Sequence, residues 1–340
     1  MTDHDPLTVG TLSAAPGTRA RGTVPADLGT LTVDIPLTLV NGARPGPRVL
    51  ITAGVHGGEF TGIDAATRLA SLLEPALVHG QLIICPVANP PAVYQGRLGV
   101  SPLDGVNINR VFPGDPDGGP TERLAAWLFA HLLDGADAYV DLHAGGIDEV
   151  LRDFVGHRLT GDTQLDTRTA DLAHSLGIED VILGLDATGG NSHAAAARAG
   201  VPAILVETGQ LGERDADTAT RLVESLCALL RGLGVLEGET PPAAPTPVRE
   251  WIWAAGITAE QTGLWYPEFT AGDDVTEGQV IGHIIDPSNG QEHKIHTPTG
   301  GRVFYGMHAL TVAPNTELAA IAVPRAPTRP TSSPRQPPTP

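Results

Sequence analysis

The chain has 340 residues and a mass of 35.2 kDa; 41% of it is hydrophobic and 18% charged, which suits a globular protein with one large core and a smaller one. Gly 41 and Pro 30 follow no three-residue period, which excludes collagen. Lys plus Arg 21 against Asp plus Glu 39 give a net charge of -18 with no basic cluster, so a nucleic-acid partner is not expected.

The first twenty residues hold Asp3, His4 and Asp5 and no apolar core, so no secretory signal is expected. No run of about 18 apolar residues predicts a membrane span, and the expected compartment is cytoplasmic. Residues 1–30, rich in Gly, Thr and Pro, read as an irregular lead-in. Leu31 to Val40 partly alternates and predicts a strand, followed by a turn at Asn41-Gly42. RVLITAGV (48–55) and QLIICPV (81–87) are short apolar runs expected as strands buried on both faces, with a helix over 60–73 between them. Residues 88–120 are polar, rich in Gly, Pro and Asn and aperiodic; a loop of that length in a compact domain is usually functional.

A helix is expected near 121–133 with Thr121 as its cap. Strands follow at 138–142, 181–183 and 203–207, and helices at 164–176, 192–199 and 215–231. Alternation of this kind predicts a three-layer α/β domain over 1–237 with a mixed, mostly parallel sheet. Residues 238–247 (GETPPAAPTP) predict a Pro-rich linker. Residues 248–323 read as a small all-β domain, and 324–340, mostly Pro, Arg, Ser and Thr, as a disordered tail. Cys85 and Cys227 sit in apolar runs and read as buried small hydrophobes.

In α/β folds, sites gather outside the carboxyl ends of strands. His56 and Glu59 follow RVLITAGV, His143 ends AYVDL, and Glu207 ends AILVE. In His56-Gly57-Gly58-Glu59 the glycines let an imidazole and a carboxylate converge on one ion. His143 completes two His and one carboxylate, a catalytic zinc set that leaves a coordination position open. His56 alone reads equally as a surface turn residue; the three strand-end groups together favour one zinc per chain, although the set also accepts cobalt or manganese. Asp141 shares a strand face with His143 and reads either as its orienting partner or as half of a strand-end ion pair. Glu207 reads as general base. In the long loop, Asn109 and Arg110 offer a fork for a substrate carboxylate, and Arg97 a charge for an oxyanion. Either arginine alone reads also as a solvated surface charge. Asp104-Gly105 reads as a turn.

With AGVHGGEFTG (53–62), PVANPPA (86–92), SPLDGVNINRVFPG (101–114), YVDLHAGG (139–146) and AILVETGQLG (203–212), the chain resembles the succinylglutamate desuccinylase/aspartoacylase family, a branch of the zinc carboxypeptidase-like fold. The stretches span nearly the whole first domain in family order. The resemblance implies zinc ligands at His56, Glu59 and His143, a general base at Glu207, a substrate clamp at Asn109 and Arg110, and an oxyanion arginine at Arg97. It also implies a β-rich C-terminal domain that narrows the cleft. The SPLDG and NRVFPG wording resembles bacterial members of the N-acetyl-diaminobutyrate deacetylase type more than mammalian aspartoacylase. FTAGDDVTEGQVIGHI (269–284) resembles a lipoyl- or biotinyl-like barrel segment, but nothing of a carrier motif surrounds Lys294, so it is read as architecture.

The expected activity is zinc-dependent hydrolysis of the amide joining a small acyl group to an amino acid or amine, with that small molecule as partner and neither nucleic acid nor membrane. A metallocarboxypeptidase acting on short peptides and a non-catalytic metal-containing binding protein are the alternatives, and ester cleavage is chemically open. The oligomeric state is left open, a homo-oligomer included.

Overall fold

A computed structural model describes residues 5–238 and 247–326. Most of the expected linker 238–247 and of the tail 324–340 lies outside the described residues. Among the described residues, thirteen strands form one large mixed sheet. Its order runs Asp274–Val275, Gly301–Met307, Glu317–Pro324, Arg249–Thr258, Asp180–Gly184, Phe154–Arg158, Ala203–Glu207, Ala138–His143, Arg44–Ala53, His79–Cys85, Thr32–Asn41 and Thr18–Asp27, with Glu149–Leu151 pairing beside Gly301–Met307. Parallel pairs prevail in the centre, where only Phe154–Arg158 and Ala203–Glu207 run antiparallel among the described residues, and antiparallel pairs form both flanks. The centre is apolar on both faces because helices cover both. Leu82, Ile84 and Val140 face the helices Phe60–Leu72, Thr163–His174 and Ala216–Gly232. Leu50, Ile83 and Tyr139 face Pro120–Leu132 and Ser192–Arg198. Burying one such Leu or Ile contributes roughly 1.5–3 kcal/mol. The sheet therefore tolerates a few polar groups at its carboxyl edge.

The irregular lead-in expected over 1–30 is corrected. Leu7–Val9 pairs with Leu12–Ala14, and Thr18–Asp27 is the edge strand beside Thr32–Asn41. The alternation in TRARGTVPAD is real, but Gly and Pro interrupt it, a pattern confined to edge strands. Thr121 is not the helix cap. Gly119 occupies that position, and Asp104 reaches from the loop to accept from the Thr121 N–H at 3.0 Å and its hydroxyl at 2.7 Å.

After residue 248 no helix occurs among the described residues. Some of these strands extend the large sheet, while Gly263–Pro267, Val280–Ile285, Glu292–His296 and Thr311–Val312 form a separate antiparallel one. Buried Asp180 ties the two regions together. It accepts from Arg152 at 2.6 Å, Arg249 at 3.0 Å and the Trp251 indole at 2.8 Å.

Candidate metal centre and cleft

Strand register builds the site. Ala138–His143 and Ala203–Glu207 are parallel neighbours, and Glu207 pairs directly with His143. Thr52 pairs with Asp141 on the other side. Residues in register point to one face, so the last residues of two strands share one edge. The HGGE turn closes over that edge. Gly57 is needed there because a Cβ would come within 2.1 Å of the Ala92 carbonyl oxygen, and Gly58 adopts φ +99°.

His56 Nδ1 lies 2.6 Å from Glu59 Oε1, and His143 Nδ1 lies 2.8 Å from Glu59 Oε2. The ligand atoms of the three residues all fall within 4.8 Å of one another, a spacing that one ion with bonds of about 2.0–2.2 Å draws together. The chemistry of their partners says what belongs between them. Asn107 Oδ1 accepts from the Asn109 N–H at 2.8 Å, which fixes its amide as an acceptor. His56 Nε2, 3.0 Å from that oxygen, must then carry the proton. His143 Nε2 lies 3.0 Å from Asp141 Oδ2 and carries its proton likewise. Both Nδ1 lone pairs are thus left facing one carboxylate. His143 Nδ1 is buried with no hydrogen-bond partner. Lone pairs opposed in this way repel unless a cation lies between them, so the donor set fits zinc. Among the described residues, the His56/Glu59/His143 cluster has the geometry of a single zinc-binding site.

Burial pushes the Glu59 carboxyl up, but the pull of His56 and His143 outweighs it and holds the group well below the usual carboxylate range. Burial also raises the half-buried Glu207 carboxyl; His143 pulls it down, but Glu59, Glu149 and Asp141 push it up, and it stands well above its usual value. Asp141 is buried, as its role beneath His143 requires. Thr52 Oγ1 donates to its Oδ1 at 2.6 Å, and the Ser192 hydroxyl donates to Oδ2.

A cleft of about 840 Å³ opens over this centre, lined among others by His56, Glu59, Arg97, Asn109, Arg110 and Glu207. The expected site residues therefore come together. Arg97 is exposed, at φ 56° where the short helix Pro91–Gly96 ends. Asn109 is buried, and its Oδ1 accepts from the Ser192 N–H at 2.8 Å. Arg110 is exposed, with Nη1 donating to the Asn109 carbonyl at 2.9 Å. Sequence reasoning missed Arg158, His193, Glu149 and Tyr305, which also line the cleft. The Tyr305 hydroxyl donates to Glu149 Oε1 at 3.2 Å, and the Gly146 N–H to Oε2 at 2.9 Å. Glu149 and Arg158 stand at strand ends, but His193 lies in a helix and Tyr305 within a strand, and no spacing in the sequence links the four.

The pattern of the succinylglutamate desuccinylase/aspartoacylase catalytic domain matches residues 45–233. The chain belongs to this family. The chain is 36% identical over 265 residues, 75% of each chain, to the N-alpha-acetyl-L-2,4-diaminobutyric acid deacetylase of Halomonas elongata. It superimposes on the succinylglutamate desuccinylase/aspartoacylase of Rhodobacter sphaeroides with a TM-score of 0.81 and 28% identity, covering 96% of this chain and 98% of that one. The product-bound ectoine utilization protein EutE (DoeB) of Ruegeria pomeroyi gives a TM-score of 0.81 and 25% identity, covering 94% and 98%. The family and the zinc site together make the chain a zinc-dependent amidohydrolase that acts on a small acylated substrate. No helix among the described residues is long and apolar enough to cross a membrane.

Proposed function

We propose that the substrate is an Nα-acyl diamino acid of the N-acetyl-2,4-diaminobutyrate kind, as the name of the Halomonas relative suggests. The observation that carries the reading is the pairing of Glu207 with His143, which sets a carboxylate beside the zinc site without making it one of the three ligands. When bound, zinc supplies a Lewis acid and lowers the pKa of water. Glu207 takes a proton from the attacking water and delivers it to the leaving amine; a carboxyl raised by burial holds that proton long enough for the second transfer. Arg97 offers its guanidinium to the carbonyl oxygen as charge develops there. Arg110 and the Asn109 amide hold the substrate carboxylate. Asn109 Oδ1 is already committed to Ser192, so its NH2 end is the one available to a ligand. Arg158 and His193 add donors along the same cleft.

Asp148, Glu149 and Glu317 also line the cleft and suit a free ammonium on the substrate better than a second carboxylate. The proposal includes a division of the chain at 238–247. Residues 1–237 would form the hydrolase unit, and 248–323 a β-rich unit that walls the cleft through Trp253, Tyr305 and Met307. A walled cleft of about 840 Å³ has the size of a small-ligand site rather than a peptide groove, which disfavours the carboxypeptidase alternative. A non-catalytic metal protein would need four protein ligands, and three cluster among the described residues. The cytoplasm is the proposed compartment.

The test is a comparison of zinc-loaded protein on N-acetyl-2,4-diaminobutyrate, N-acetylaspartate and N-succinylglutamate. The expected preference for the first is roughly tenfold or more in kcat/KM, equivalent to about 1.4 kcal/mol. A preference for either dianion overturns the substrate assignment, and release of C-terminal residues from peptides revives the carboxypeptidase.

A further inference from the structure

Asp141 is a buried carboxylate whose two oxygens carry different loads. Oδ1 accepts from Thr52 Oγ1 at 2.6 Å, and the Tyr139 hydroxyl stands behind Thr52 at 2.9 Å. Oδ2 is shared. It meets His143 Nε2 at 3.0 Å, and it accepts from the Ser192 hydroxyl. Ser192 is the first residue of the helix Ser192–Arg198 and only 2% exposed. Its backbone N–H donates to Asn109 Oδ1 at 2.8 Å, and the Asn191 amide beside it donates to the Asn109 carbonyl at 3.2 Å. One residue thus touches the carboxylate beneath a zinc ligand with its side chain and an amide at the cleft wall with its backbone.

We propose that Ser192 is a positioning residue: its hydroxyl fixes Asp141 so that His143 presents Nδ1 to the zinc ion, and its backbone turns the NH2 end of Asn109 toward the substrate. The two jobs are separable because only one uses the side chain. A hydroxyl has a single proton, and here it goes to Asp141. Without it, Oδ2 keeps His143 as its one donor among the described residues, and the carboxylate plane is held less firmly beneath the imidazole. Partners behind a metal-bound histidine commonly change metal affinity by about 10–100-fold when removed. The backbone donor survives any side-chain change, so Asn109 should keep its orientation.

This inference rests on the zinc-site reading, so its experiment needs no substrate in its first arm. Zinc affinity is measured by chelator competition on the full-length protein, wild type against Ser192→Ala, Ser192→Thr and Thr52→Val, with the visible spectrum of the cobalt form recorded for each. Ser192→Ala is expected to lose about tenfold or more in zinc affinity and to shift the cobalt bands, while Ser192→Thr, which keeps the hydroxyl, restores both. Thr52→Val, which frees the other oxygen of Asp141, should move the same two readouts in the same direction. In the second arm, Ser192→Ala held at saturating zinc should keep the wild-type KM, because the Asn109 contact is backbone. Circular dichroism of each variant verifies folding. Wild-type protein with tight zinc and a Ser192→Ala variant of equal affinity and unshifted cobalt bands overturns the role of Ser192 alone. Wild-type protein that binds no zinc removes the metal site and this inference with it.

Discussion

Replacing Glu207 by Gln keeps the side chain's length and removes its negative charge. The carboxylates beside it, Glu59 and Glu149, are both engaged. Glu59 faces both histidines, and Glu149 has one oxygen on the Gly146 N–H and the other on the Tyr305 hydroxyl. General acid–base catalysis contributes roughly 10²–10⁴-fold, and with both neighbouring carboxylates engaged the upper half of that range is expected. That is a fall of about 10³–10⁴ in kcat, equivalent to about 4–5.5 kcal/mol in the barrier. Zinc binding should persist, because Glu207 lies beside His143 without belonging to the ligand set. The assay pairs steady-state turnover of an N-acetyl amino acid with metal content by mass spectrometry on the same sample. One zinc per chain together with undiminished turnover would refute the assignment of the base. Loss of zinc along with activity would show that Glu207 acts as a ligand instead.

Arg110→Ala should raise KM by roughly 10–100-fold with little change in kcat, since a charge-assisted hydrogen bond to a carboxylate is worth about 1.5–3 kcal/mol; a fall in kcat at constant KM would contradict the clamp. Gly57→Ala would place a methyl group 2.1 Å from the Ala92 oxygen, so the HGGE turn must open; weaker zinc binding and a loss of stability of roughly 1–3 kcal/mol are expected, and wild-type zinc affinity would count against the turn geometry. Acid sensitivity follows from two buried imidazoles. Burial pushes His157 down to about 4 and His193 down to about 3. Unfolded histidine takes up a proton near pH 6.5, so below that pH the unfolded state binds protons that the folded state refuses, and stability falls as pH drops toward 4. Each group contributes about 1.4 kcal/mol per pH unit in that window. Denaturant titrations of zinc-loaded His157→Gln should show the slope reduced by about one proton, and an unchanged slope would disprove the buried neutral state.

The central strands and helices were legible because apolar runs such as VLI and LIIC are buried between two helical layers. The zinc ligands were legible for a related reason. A strand's end is marked by the change from apolar to polar, and His56, Glu59 and His143 each stand at such a change. Strands Glu149–Leu151 and Phe154–Arg158 were not legible, being three and five residues long and too short to show a period. Thr18–Asp27 was hidden by Gly22 and Pro25, which an edge strand accepts and a central one does not. The polar layer under His143 was the least visible. Ser192 and Thr52 are common residues, and the contacts that give them meaning cross 51 and 89 positions of chain. The cap of Pro120–Leu132 failed for the same reason, because Asp104 reaches it from 17 residues away.

The side-by-side pairing of Glu207 and His143 has an evolutionary consequence. On the proposed roles the chemical step would inherit the stiffness of a hydrogen-bonded ladder, whereas selectivity would reside largely in a segment that merely connects, the stretch carrying Arg97 and Arg110. Such a lineage can exchange one acylated amine for another by rewriting its connections while the reaction stays the same. Lengthening the strand Ala203–Glu207 by one residue would do the opposite, turning Glu207 to the far side of the sheet and away from His143.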